Sequence, residues 1–336
     1  MKVENIILKE RQTERDNAIS AIRLISMIFI VLCHFFQYYD NELAWWFNVG
    51  VYIFFAVSGF LYGSRNIMDP ISFIKKNFKK ILVPYYIFLI PAIIFYFIFA
   101  PNKITLFSAV KAFFCAGTIQ GLGNLWFVGY ILFCYLITPY LYWIVKKLEN
   151  SSFIRMIISF TVILIFVQIL GILFNSYFRP DRISGYIIGY FIAVLYKKYG
   201  FYLLKYLCVF IDVLCIFVNG VRIYFKYILH LKTGTLFNYF ENYAHLILGL
   251  AVFLTLYIAF KNIKNNRILK FSDKYSYSVY IVHQFFILSP FNLMTITLIK
   301  PLNWVIVLAL VAVAAIILKY ISEKILRFSE KILRPF

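Results

Sequence analysis

Apolar runs of membrane-crossing length recur along the whole 336-residue chain. A bilayer core is covered by roughly 20 residues of helix. Ten runs approach that length: 18–38, 47–64, 81–99, 125–145, 153–173, 183–196, 201–218, 243–260, 275–297 and 302–320. Lipid offers no partner to a backbone N–H or C=O, so each run must pair its own backbone as a helix. The sixth run is short, and the ninth is interrupted at Pro290. The expected fold is an all-α polytopic membrane protein of about ten transmembrane helices in a single domain. Residues 1–17 form an arm, 18–320 the helix bundle and 321–336 a tail, with no soluble domain inserted. Composition agrees, at 63% hydrophobic and 14% charged. A soluble domain is nearer half apolar and a quarter charged, and could not hide this much apolar surface. A soluble globular enzyme, a disordered chain and a disulfide-stapled module are excluded.

Charge sets the orientation. The chain carries 34 Lys and Arg against 14 Asp and Glu, a formal +20. In a soluble protein that balance would point to nucleic acid, but in a membrane protein Lys and Arg collect in cytoplasmic loops. No nucleic-acid partner is expected. With the N-terminus inside, 26 of the 34 fall on the cytoplasmic side: the arm with Arg23, 65–80, 146–155, 197–205, 261–274 and the tail with Lys319. Eight fall outside. The split requires an even number of spans and puts both termini in the cytoplasm. The first run lacks a small-residue cleavage site and reads as an uncleaved span. The five cysteines form no CxxC pattern and read as small buried hydrophobes. No metal site and no permanently bound cofactor is expected.

The informative residues are the polar ones inside apolar runs, where a charge costs about 2.5–3.5 kcal/mol at mid-bilayer. These are Arg23 and His34 in the first span, Asp212 in the seventh and His283 in the ninth. Arg23 and His34 are eleven residues apart, about three turns plus 20°, so they share one helix face at a separation of roughly 16 Å. Arg23 lies toward the cytoplasm and His34 in the outer half. A guanidinium can hold an anionic group of an activated donor, and a neutral imidazole can take a proton from an attacking hydroxyl. The plainer reading has Arg23 snorkelling to the interface and His34 bonded to a carbonyl. Asp212 must be neutral or paired, with a basic or polar partner, and His283 is either structural or functional. Lys75, Lys76, Lys79 and Lys80 precede Pro84 at the inner edge of the third span. They are either a flank for anionic membrane lipid or a landing site for a phosphate-rich donor such as coenzyme A. Gly185 and Gly189 allow close helix approach.

In this setting the chain resembles the acyltransferase family 3 membrane proteins, which include O-acetyltransferases of bacterial surface polysaccharides. Five segments carry the resemblance in order: Arg23 to His34 (RLISMIFIVLCH), residues 50–63 (GVYIFFAVSGFLYG), the basic stretch into Pro84, residues 125–139 (LWFVGYILFCYLITP) and residues 275–283 (YSYSVYIVH). The chain departs from the family at Tyr52, where Asp is frequent, and at Asn124, where His is frequent. It also lacks the esterase-like extra domain of some members.

The resemblance implies transfer of an acyl group, usually acetyl, from cytoplasmic acyl-CoA (acetyl-CoA in the usual case) to a sugar hydroxyl. The acceptor would be an envelope glycan or a lipid-linked oligosaccharide, and the location the bacterial cytoplasmic membrane. His34 would then act as general base or acyl relay and Arg23 would position the donor. Trp126 and Tyr52 would offer stacking surface to adenine or sugar. Ser58 and Gly59 read as packing residues. The competing reading is a transporter or flippase for a glycan or lipid-linked precursor, which predicts inverted repeats with broken helices. No such symmetry is visible, and Pro290 has no counterpart. A lipid-linked-sugar glycosyltransferase or polymerase ranks behind both, since Asp40 and Glu42 are the only close acidic pair on the outer side.

Overall fold

The computed structural model describes residues 17–174, 179–231, 234–264 and 266–332. The expected arm apart from Asn17, Lys232 of the outer basic set and the last four residues of the expected tail lie outside the described residues. Within them the helices are α1 (Asn17–Tyr38), α2 (Leu43–Phe47), α3 (Val49–Gly63), α4 (Pro70–Phe99), α5 (Leu106–Phe113) and α6 (Trp126–Lys147). They continue as α7 (Phe153–Leu173), α8 (Pro180–Ile223), α9 (Thr235–Phe260), α10 (Arg267–Ile287) and α11 (Lys300–Ile332). No strand occurs among the described residues.

Among the described residues, eight helical segments are long and apolar enough to cross a membrane. They account for nine of the ten expected runs once the long α8 is read as two arms, and α10, which is not among the eight, carries the other. α8 contains Gly200 at φ 78°, ψ −170°, outside helical space and natural only for glycine. Lys198 donates to the carbonyls of Glu149 and Ser151, while Lys261, just past α9, lies 3.3 Å from the centre of the Phe201 ring. Arg222, at the far end of the second arm, lies over Trp45. The chain therefore reaches the lysine-bearing end at Gly200 and returns, so α8 holds the sixth and seventh runs. α10 carries the ninth run and is the least apolar, because it places Asp273, Ser276, Ser278, His283 and Gln284 on a crossing helix.

Several boundaries differ from the sequence expectation, and α9 begins at Thr235, eight residues before the expected 243. α4 starts at Pro70, eleven residues before the expected span, because Asp69 caps it through the N–H groups of Ile71 and Ser72 and Pro70 suits the first turn. The lysine cluster therefore lies on the helix. The ninth span runs over 267–287 and not 275–297. Asn266 caps its start, and Pro290 forces residues beyond Ile287 into an irregular loop in which the Ser289 hydroxyl bonds back to Phe285. α11 continues to Ile332, so most of the expected tail is helical.

The bundle is knit by glycines. A Cβ at Gly59 would lie 1.9 Å from the Tyr186 carbonyl oxygen, one at Gly63 2.3 Å from that of Tyr190, and one at Gly189 2.2 Å from that of Ala56. The Gly59–Gly63 pair on α3 thus meets the Gly185–Gly189 motif on α8, backbone against backbone. The outside is apolar in turn: α7 exposes Val162, Ile165, Phe166, Ile169 and Ile172. A helix turning its large apolar residues outward has lipid as its surroundings.

Candidate functional site

α1 and α10 lie side by side and carry the central residues. Near their inner ends the Arg23 Nη1 donates to Asp273 Oδ1 at 3.1 Å, and the Ser20 hydroxyl donates to Asp273 Oδ2 at 3.1 Å. Near their outer ends the His34 and His283 rings are 5.1 Å apart, tilted by 34°. The contacts are eleven residues apart on α1 and ten on α10, about 16 and 15 Å of rise. Two matched contacts in the same order make the helices parallel. Arg23 and His34 do share a face, and that face is turned to α10. Arg23 is ion-paired, and neither a free cation nor a lipid-facing snorkel describes it.

The outer cluster is a web of side-chain bonds to backbone. His34 Nδ1 is 2.9 Å from Gln37 Oε1, an acceptor. With Nδ1 protonated toward this oxygen, Nε2 carries the lone pair; the Gln284 side-chain amide nitrogen, a donor 3.5 Å from the same Nδ1, pairs with the other tautomer. His283 is fully buried. Its Nδ1 faces the carbonyls of Tyr280 at 2.7 Å and Val279 at 3.1 Å, so Nδ1 donates there and Nε2 again carries the lone pair. Asn124 Nδ2 donates to the Tyr280 carbonyl at 2.6 Å, its backbone N–H donates to Gln284 Oε1 at 2.5 Å, and the Tyr280 hydroxyl donates to the Asn124 carbonyl at 2.6 Å. Two buried acceptors, His283 Nε2 and Asn124 Oδ1, have no partner among the described residues. Leaving a buried acceptor unmet costs about 1–3 kcal/mol. Such atoms gathered beside a half-buried imidazole suit a site that receives hydroxyl donors.

The other expected site residues sit in three places. Trp126 opens α6 beside this cluster, with the Arg182 guanidinium 3.4 Å from the centre of its ring. Tyr52 is buried on α3, where its hydroxyl donates to Asp181 at 2.7 Å and its ring lies 5.7 Å from that of His245. Its polar end is therefore already engaged. Asp212 stands apart on the second arm of α8, accepting from Thr255 at 3.2 and 3.3 Å and from the Cys208 thiol at 3.4 Å. Its partner is a hydroxyl and not a cation. Lys75, Lys76, Lys79 and Lys80 line a cavity of about 470 Å³ closed on its other side by Leu326 and Ser329 of α11. A neighbouring inner-face cavity of about 500 Å³ is lined by Arg65, Lys146, Lys197 and Lys198 with Tyr142 and Tyr190. Two cationic cavities at the inner end could accept phosphates. Among the described residues no three His, Cys, Asp or Glu side chains gather as a metal centre needs.

Sequence reading missed Asp273, Gln284, Tyr280 and Arg182 as members of the site. Asp273 was concealed because it precedes the apolar part of its run and read as part of a loop. The sequence marks Asn124 only as a departure from a pattern, yet it ties the loop before α6 to α10 through four hydrogen bonds. Among known families, the model of acyltransferase family 3, described as an acyltransferase domain, matches residues 16–322. No curated protein and no solved structure matches the chain.

Proposed function

The chain belongs to acyltransferase family 3 and is a membrane acyltransferase, and from that membership we propose that it moves an acetyl group from cytoplasmic acetyl-CoA to a sugar hydroxyl. The acceptor is a bacterial envelope polysaccharide or its lipid-linked precursor, presented at the outer end of the bundle. The observation that carries this reading is the α1–α10 pair, with Arg23–Asp273 at one end and His34–His283 at the other.

The donor's phosphates enter the inner cavities among Lys75, Lys76, Lys79 and Lys80. Arg23 guides the donor arm at the inner end, and the roughly 16 Å to His34 is a gap that an extended pantetheine can span. His34 Nε2 takes the proton of the acceptor hydroxyl as its oxygen forms the new bond to the thioester carbon. The carbon–sulfur bond then breaks, and the thiolate leaves and is protonated to coenzyme A. Relay of the acyl group through His34 Nε2 uses the same atoms in two steps. His283 Nε2 and Asn124 Oδ1 receive the sugar's remaining hydroxyls.

The test is transfer of label from radioactive acetyl-CoA to envelope glycan by membranes holding the chain, set beside the acetyl content of glycan from cells lacking it. Label in the glycan that falls in Arg23→Lys, which keeps charge and loses the planar fork, supports the reading. Glycan acetylation identical with and without the chain would sink it.

A further inference from the structure

The start of α8 gathers three charges, Arg179 at its N-cap and Asp181 and Arg182 in its first turn, and only two of them neutralise each other. Arg179 grips Asp181 with two hydrogen bonds, Nε to Oδ1 at 3.0 Å and Nη2 to Oδ2 at 3.3 Å, and Tyr52 adds a third at 2.7 Å. Asp181 is thus fully subscribed. The side chain of Arg182 makes no hydrogen bond and no ion pair with any described residue. Its guanidinium lies on the Trp126 ring at 3.4 Å and near Tyr130 at 4.8 Å.

A half-buried cation in the first turn of a helix stands against the helix dipole, so helix stability does not account for it. Stacking occupies the face of the guanidinium and leaves its N–H edge, the part that forms two parallel bonds to a planar oxyanion. The position is also specific. Trp126 follows the Asn124 segment bonded to Tyr280 and Gln284. The Trp126 ring centre lies 6.1 Å from that of Phe127, and Phe127 lies 4.9 Å from Tyr280. Tyr280 and His283 have ring centres 5.7 Å apart, and His283 adjoins His34. The free cation therefore stands at the acceptor end of the site, opposite the donor cavities.

We propose that Arg182 reads the acceptor: the glycan acylated here carries an oxyanion, a sugar carboxylate or a phosphate, beside the reacting hydroxyl, and Arg182 binds it edge-on from the face of Trp126. This deepens the acyltransferase reading and rests on it. Arg182 is a specificity residue, distinct from the proton-transferring imidazoles.

Because Trp126 is stacked on the group that binds, its fluorescence reports occupancy, with Trp126→Phe identifying the signal among the five tryptophans. Purified protein is titrated with glucose, glucuronate and glucose 6-phosphate. At least one anion is expected to bind about ten-fold tighter than glucose, and the stronger of the two tells carboxylate from phosphate. Arg182→Gln should bring the anions to within about two-fold of glucose, while Arg182→Lys, which keeps charge without the fork, retains part of the preference. Equal binding of all three probes by the unaltered protein, or a preference that survives in Arg182→Gln, overturns the proposal. The unaltered protein decides the first point even where a variant fails to fold. Since the readout is binding, loss of anion preference and loss of acetyl transfer from acetyl-CoA are separate failures, the second belonging to the acyltransferase reading alone.

Discussion

Replacing His34 by alanine separates catalysis from folding more cleanly than any other change in this bundle. Its side chain bonds Gln37 on its own helix at 2.9 Å and lies 3.5 Å from the Gln284 side-chain amide of α10, and a hydrogen bond contributes about 0.5–1.5 kcal/mol. The ring is half-buried, so truncation opens a space at the outer end and removes little from the core. Loss of a general base costs roughly 10²–10⁴ in rate, and at 1.36 kcal/mol per decade that is about 2.7–5.4 kcal/mol of barrier. The catalytic loss therefore exceeds the stability loss severalfold. The assay is single-turnover acetyl transfer from labelled acetyl-CoA at equal amounts of folded protein, with thermal unfolding in detergent measured alongside. His34→Ala should unfold within a few degrees of the parent and transfer acetyl at least about a hundredfold more slowly. A variant that keeps more than a tenth of the rate would remove His34 from proton transfer. So would a loss of rate that merely tracks loss of folded protein. His283→Ala is the instructive contrast, because that ring is fully buried and bonded to two carbonyls. Its removal should lower both rate and unfolding temperature.

The glycine contacts and the inner lysines make two further predictions. Gly59→Ala puts a methyl 1.9 Å from a carbonyl oxygen of α8, so the backbones must separate and folded protein in membranes should fall steeply, whereas Gly220→Ala, with nothing within 4 Å, should accumulate normally. Changing Lys75, Lys76, Lys79 and Lys80 together to Gln should raise KM for acetyl-CoA about tenfold or more and flatten its dependence on salt with kcat little changed; a lower kcat at unchanged KM would place the donor phosphates elsewhere.

How much of this was legible in the sequence depended on the reach of each signal. Helix and lipid impose periods that a single chain displays, so the ten runs, the shared face of Arg23 and His34 and the close packing of Gly185 and Gly189 could be read before any coordinates. Partners across the bundle could not. Asp273 meets Arg23 over 250 positions, and Asn124 meets Tyr280 over 156. No local pattern encodes which of 14 acids faces a given arginine. Arg182 is, in the sequence, one of eight outer basic residues, and only the pairing of its neighbour Arg179 with Asp181 shows that this carboxylate is taken and Arg182 left without an ion pair. Boundaries failed where capping outweighs hydropathy: Asp69 and Pro70 start α4 amid lysines that an apolar window assigns to a loop.

The parallel α1–α10 pair also explains why a cation and an imidazole so far apart can belong to one reaction. A helix is a ruler of fixed rise, and two helices held in register at both ends cannot stretch or slip without breaking a contact. Breaking the inner contact would leave the Arg23 guanidinium without the carboxylate that holds it inside an apolar bundle, a change that costs more than the pair is worth when intact. The distance between donor end and acceptor end is thus set by covalent geometry. Under the proposed function, neither a cytoplasmic thioester nor an outer alcohol would have to cross the membrane, because each would need only to reach its own end of the same pair. A transporter would need that pair to rock or part, and the matched contacts, Ser20 and Arg23 on Asp273 below and His34 against His283 above, resist the movement that alternating access demands.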